Sequence, residues 1–388
     1  MRARSLPKSI LLAVGIFGLC LGADLYGQAK PSPLLKLDRN ELTAPEKEML
    51  PDIAVALTRP AEGGGQVWSM TFSRDGQLVT GNRDGKAMLW DLTGTKPKLQ
   101  QTLELEPAMK AVGPVGFSPD GKQLVAVQAD PFVKPMGEKT STLTVFDMTA
   151  EGAQTFVRYD MSIGPSLAFH PARADLFYVG YRENHGRAVS ITGGGLTTLP
   201  YEFPGAHGGF AFTPDGGTFA SIVFNAARNG PLYGSEIKFW KVTPAAATET
   251  ALIRLETGFK TIAFSPDGKW MATGSLDKVV RIWDLSVKQP VEKAKFLVEH
   301  WPRSVYFAGG SNYVVCVSSM NQIVLYNIAA DKIEKAWMLE PRRGSELAEG
   351  AMYRSIAASA LAPDGLHLAI SNHNARSMIL RLPITAKE

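Results

Sequence analysis

Residues 259–285 read FKTIAFSPDGKWMATGSLDKVVRIWDL, and their punctuation decides the fold. FKTIAF alternates toward Phe264, and the turn residues Pro266, Asp267 and Gly268 follow. KWMATG is then a second strand, SLDK turns the chain again, and VVRIWDL is a third strand. β-Branched and aromatic residues fill the strands, while the turns hold residue types that preset or tolerate turn dihedrals.

The same unit recurs along the chain. Its first turn is marked by Phe72 in FSRDG, Phe117 in FSPDG, Phe169 in FHPAR, Phe212 in FTPDG, Phe264 in FSPDG, Phe307 in FAGGS and Leu361 in LAPDG. Successive markers lie 45, 52, 43, 52, 43 and 54 residues apart, and a four-stranded blade takes about 40–45 residues before loop insertions. Third strands follow at 86–92, 141–148, 186–193, 236–242, 279–285, 322–328 and 377–383. Fourth strands are less distinct, with candidates at 99–105, 153–159, 196–202, 251–256, 294–299 and 335–340. Seven first, second and third strands therefore meet only six fourth strands. The apolar stretch IAVALTRP at 53–60, ahead of the first unit, supplies the missing member. The expected fold is all-β, a seven-bladed propeller over 52–384 closed by an N-terminal strand that completes the last blade. Closure of this kind removes the sheet edges that would otherwise invite aggregation.

The units resemble WD repeats, the propeller-blade family named for a terminal Trp–Asp pair. Trp90–Asp91 and Trp283–Asp284 are that pair in the first and fifth units, and Asp84 and Asp277 stand where the family has an aspartate between second and third strands. Other units degenerate to Phe146–Asp147, Phe239–Trp240 and Leu325–Tyr326. The family's histidine before the first strand is replaced by Glu256, Thr257 and Gly258 in unit five and by GGGQ at 63–66 in unit one. The hydrogen-bonded network that this histidine joins is therefore expected to be incomplete, as in a divergent bacterial-type secreted member. A merging into lactonase-like and quinoprotein-like propellers stays open. The resemblance implies that the tryptophans pack between sheets.

The two ends of the chain carry different signals. Arg2, Arg4 and Lys8 precede the uncharged run from Ile10 to Ala23, so 1–29 read as a signal peptide with cleavage after Ala29 or Ala23. An uncleaved anchor is the competing reading, and Leu19 before Cys20 is a poor match to a lipoprotein signal. Residues 30–51 form a polar linker with four prolines, and 385–388 are a short tail. These features place the protein outside the cytoplasm, secreted or periplasmic, with no stable membrane span once the signal is removed. The chain carries formal charge +4 from 41 basic and 37 acidic residues. No basic patch is interleaved with aromatics, so no nucleic-acid partner is expected.

Motifs for chemistry are sparse. None of the six histidines forms HExxH or a paired ligand spacing, and Cys316, in YVVCV, reads as a small buried hydrophobe. The GGG runs at 63–65 and 193–195 lack the lysine and hydroxyl of a phosphate loop, and no GxSxG elbow is present. No catalytic residue, metal or cofactor is expected. Insertions are more informative: DPFVKPMGEKTS at 130–141, RENHGR at 182–187 and NAARNGPLYGSE at 225–236 all lengthen connections from second to third strands. Long loops on a rigid scaffold are where binding is grafted, so Phe132, Lys134, Met136, Arg228 and Tyr233 form the expected contact surface. The sequence thus reads as a noncatalytic scaffold or binding module for an unknown protein or ligand. A lactonase-like hydrolase with a site over the central channel is the alternative.

Overall fold

The computed structural model describes residues 53–57, 66–94, 97–103, 105, 111–129, 141–149, 154–161, 163–181, 185–192, 195–204, 209–224, 234–243, 245–338, 356–372 and 377–384. The expected signal peptide, linker and tail lie outside them. Every described element is a strand. β1 (Ile53–Leu57) precedes the first blade, which is β2 (Val67–Phe72), β3 (Leu78–Asn82), β4 (Ala87–Asp91) and β5 (Lys98–Leu103). Blade two is β6 (Ala111–Phe117), β7 (Gln123–Ala129), β8 (Ser141–Asp147) and β9 (Gln154–Met161). Blade three is β10 (Ile163–His170), β11 (Arg173–Tyr181), β12 (His185–Thr192) and β13 (Gly195–Pro204). Blade four is β14 (Phe210–Phe212), β15 (Thr218–Phe224), β16 (Ser235–Val242) and β17 (Ala247–Leu255). Blade five is β18 (Phe259–Phe264), β19 (Trp270–Ser275), β20 (Val279–Asp284) and β21 (Val291–Leu297). Blade six is β22 (Pro302–Ala308), β23 (Tyr313–Ser318), β24 (Gln322–Asn327) and β25 (Lys332–Met338). Blade seven holds β26 (Ile356–Leu361), β27 (His367–Asn372) and β28 (Ser377–Arg381), and its fourth strand is β1.

The closing pair is antiparallel, with Ile53 opposite Leu380 and Leu57 opposite Ser377. The ring is therefore shut by the strand that the sequence left over. First strands of neighbouring blades touch in an unbroken cycle, β2 between β26 and β6 and so on through β22. Each first strand is paired on one edge only, and its other edge runs along the central axis.

Packing follows the ring. The apolar core divides into seven clusters, one in each seam between successive blades. Third-strand aromatics face the preceding blade: Trp90 packs with Ala360 and Ile379 of blade seven, Trp283 with Ile222 and Ile237 of blade four, and Tyr326 with Val280 of blade five. Each fully buried side chain of this size contributes roughly 1.5–3 kcal/mol. The seam between blades three and four is aromatic, with Tyr178 stacked on Phe219 at 4.8 Å and Phe203 set edge-on to Trp240 at 5.7 Å. Cys316 is wholly buried between blades five and six, and burial pushes its thiol pKa up.

The fourth strands explain their own weak signal. β21 and β25 expose most of their residues and bury one late aromatic each, Phe296 and Trp337. An outer strand with one covered face carries charges where inner strands carry valines, so its alternation is diluted.

Candidate functional site

Six of the seven first strands carry a local irregularity at one end of the channel. In β2 the pairing jumps from Val67–Asn82 to Ser69–Gly81 and leaves Trp68 without a partner. In β18 it jumps from Phe259–Ser275 to Thr261–Gly274 and leaves out Lys260. The same step omits Arg303 in β22 and Ala357 in β26, and β6 and β10 are irregular over Val112–Val115 and Ile163–Leu167. These are β-bulges, which leave one residue out of the ladder, bend the strand and re-aim a side chain. All lie beside the second-to-third-strand turns, at one end of the ring.

Flanking residues show how the bulge residue is turned. Pro302 lies directly over Gly274 of blade five, where a Cβ would sit 2.3 Å from the Pro302 Cβ. Further along the same strand, Tyr306 reaches the other way, and its hydroxyl donates to the Ser359 carbonyl of blade seven at 2.8 Å. Burial raises the Tyr306 pKa, so it stays a protonated donor. Arg303, between them, is left out of the ladder on the strand nearest the axis. Its side chain reaches solvent and yet is crowded by protein, so burial pulls the guanidinium below the ordinary arginine value. That combination describes a concave surface.

Other groups gather at this end. Arg83 lies over the Trp68 ring at 5.6 Å and donates to Gln66 Oε1 at 3.4 Å. The connection from blade five to six is held against the blade-six turn by two bonds, Glu299 N–H to Gln322 Oε1 at 2.8 Å and Ser319 N–H to the Trp301 carbonyl at 2.9 Å. Leu297, Trp301, Met320 and Met338 stand exposed around that junction, Leu297 at 70% and Trp301 at 52%. Buried polar atoms without a hydrogen-bond partner among the described residues also concentrate here: Trp68 Nε1, Ser69 Oγ, Asn82 Oδ1, Thr257 Oγ1, Asn321 Oδ1 and Ser371 Oγ.

The repeat markers are structural. Trp90 Nε1 donates to Thr80 Oγ1 at 3.1 Å, and Trp283 Nε1 to Thr273 Oγ1 at 2.9 Å. Asp91 accepts from the Thr93 amide and hydroxyl, and Asp284 does the same with Ser286. The missing histidine is answered differently in the two units. In blade five Arg281 bonds Asp277 at 2.6 Å, Ser275 Oγ at 2.8 Å and Glu292 at 3.3 Å. Burial works against ionisation of Asp277, but bonds from Arg281, Ser275 and the Val279 amide hold its carboxyl below the usual range. In blade one Asp84 is exposed and accepts from the Lys86 amide at 3.3 Å.

The expected contact residues Phe132, Lys134, Met136, Arg228 and Tyr233 lie outside the described residues. Lys260, Arg303, Trp68 and Trp301 escaped the sequence reading. A signal for the first three was present: apolar positions spaced by three and then two within one strand, as in Phe259, Ile262, Phe264 and Pro302, Val305, Phe307. That spacing is one residue too long for a regular strand and marks a bulge. Among the described residues, no three His, Cys, Asp or Glu side chains cluster as metal ligands would. The family model described as "WD domain, G-beta repeat" matches residues 57–91 and 256–284, the two stretches that end in Trp–Asp.

Proposed function

The chain belongs to the WD-repeat β-propellers, and from that premise we propose that it is a noncatalytic module that recognises a protein at the bulged end of its channel. One observation carries the reading: exposed Leu297, Trp301, Met320 and Met338 lie at the same end of the ring as the bulge residues Lys260 and Arg303. Interface energy concentrates in a few large side chains, tryptophan and arginine prominent among them, ringed by polar groups. The opposite end closes its turns on itself and offers less to a partner. Loops 130–141 and 225–236 also join second to third strands, so Phe132, Lys134, Met136, Arg228 and Tyr233 extend the proposed surface.

The module is placed outside the cytoplasm on the strength of residues 1–29. Among the described residues no helix is long and apolar enough to cross a membrane. N-terminal sequencing and cell fractionation test this part; a chain starting at Met1 overturns signal cleavage, and recovery from the cytoplasm overturns the placement.

The recognition reading is tested by affinity capture from envelope extracts. Wild-type protein is compared with Trp301→Ala/Met320→Ala and with a chain in which both loops are shortened. Loss of a partner from either variant, with the fold intact by circular dichroism, is the expected result. Undiminished recovery from both overturns the chosen surface.

A further inference from the structure

We infer that the blade-five and blade-six side of the channel mouth seats a carboxylate from an acidic segment of the protein partner, with Arg303 as the ion-pairing group. The inference rests on the recognition reading above and adds the chemistry of the ligand.

Arg303 is the reason. Its neighbours Pro302 and Ser304 pair with Ser318 and Val317, so the strand ladder has no place for it. No described residue gives its guanidinium a hydrogen bond or an ion pair. Arginines on other strands are answered: Arg187 by Glu202 at 2.5 Å, and Arg281 by Asp277 at 2.6 Å. A crowded lysine relieves its desolvation by losing a proton, but a guanidinium stays charged. Arg303 therefore keeps its charge with no described counter-ion, and its planar fork suits the two oxygens of one carboxylate. Lys260 stands at the same bulge position in the adjacent first strand and adds to the positive field.

The remaining features favour a peptide over a small anion. Trp301 and Met320, both exposed, belong to the turns beside the mouth. They would hold apolar side chains flanking the acid, and a free anion has no use for them. A single guanidinium also falls short of what a phosphate dianion takes.

The test measures melting temperature on the full chain with blocked tetraglutamate as probe. Blocked tetraglutamine and inorganic phosphate are the controls. Tetraglutamate is expected to raise the wild-type Tm, and tetraglutamine and phosphate to leave it unchanged. Arg303→Met should weaken the apparent affinity by about tenfold or more and, without peptide, melt close to wild type, because its exposed guanidinium bonds no described residue. Arg303→Lys should respond partially, and Lys295→Met, on the outer strand β21, fully. The inference is overturned if Arg303→Met melts lower yet keeps the full response. It is also overturned if phosphate matches tetraglutamate, or if Lys295→Met loses as much as Arg303→Met. Partner capture that survives Arg303→Met but not Trp301→Ala/Met320→Ala sinks the carboxylate site and leaves the recognition surface standing. Capture that survives both sinks the surface itself.

Discussion

The two ends of the ring solve the same problem in opposite ways. At the end made by first-to-second and third-to-fourth turns, polar side chains of the turns satisfy one another, with Gln123 Oε1 the exception. Ser118, Thr213 and Ser265 each donate to an aspartate two residues on, at 2.6 Å, and accept from a following backbone amide. At the other end the first strands bulge, Arg303 has no described counter-ion, and Asn82, Asn321 and Ser371 bury oxygens without a described partner. Polar groups at the first end are spent on the fold. Those at the second are left for something else, since buried polar atoms are nearly always paired in a finished structure. Substitutions of the same kind at both ends should therefore separate stability from recognition.

The largest contrast concerns two tryptophans. Trp283 is 6% exposed, fills the seam with blade four and bonds Thr273, whereas Trp301 is 52% exposed. Trp283→Ala should cost about 3–5 kcal/mol of unfolding free energy. Trp301→Ala should shift stability by less than about 0.5 kcal/mol while removing partner binding. Urea unfolding followed by far-UV circular dichroism measures both. Comparable losses from the two variants would mean that the bulged end is as structural as the seams.

A smaller contrast involves two aspartates. Asp364, in the first turn of blade seven, has a side chain 10% exposed and lies 2.5 Å from His367 Nδ1. Burial alone would raise its pKa, but the bond and charge of His367 and the Leu366 and His367 amides hold it below the ordinary 3.8. A carboxylate with a lowered folded pKa stabilises fully above its unfolded value and loses that contribution as pH falls through the folded one. Asp364→Asn should cost about 1.5–3 kcal/mol near neutrality, and the gap to wild type should close as pH drops below the ordinary carboxylate range. Asp84→Asn, at the bulged end where the carboxylate is exposed, should cost less than about 0.5 kcal/mol near neutrality. Unfolding curves across a pH series decide it, and a gap that widens in acid would refute the assignment.

How much of this could be read in advance differs between the two ends for a physical reason. The closed end is written in local motifs. FSPDG places a hydroxyl, an aspartate and a glycine at fixed offsets, and Gly268 at φ 70° shows why the last must be glycine. The third strands were equally plain, because they are buried on both faces, as in Ser141–Asp147. Closure by β1 followed from counting strands. The bulged end depends on contacts between blades, such as Pro302 over Gly274, which no single unit announces. Lys260 and Arg303 look like ordinary strand charges until the three-then-two spacing of their apolar neighbours is noticed. That Arg303 lacks a described counter-ion is a property of the assembled ring and of no sequence motif.

The smallest contrast is the sharpest, because the same atom is removed from two fully buried serines. Ser265 Oγ donates to Asp267 and accepts the Trp270 amide at 2.9 Å. Ser265→Ala strips a charged acceptor and a backbone donor of their partner at once, which should cost about 1–3 kcal/mol. Ser371 is 1% exposed and its Oγ has no hydrogen-bond partner among the described residues. Ser371→Ala removes a desolvated hydroxyl that returns nothing to the fold, so its effect should lie within about 0.5 kcal/mol of zero and lean toward stabilisation. Both values come from urea titration of the purified chain. If Ser371→Ala costs as much as Ser265→Ala, its hydroxyl is part of a structural network, and the division of labour between the two ends fails where it was drawn most finely.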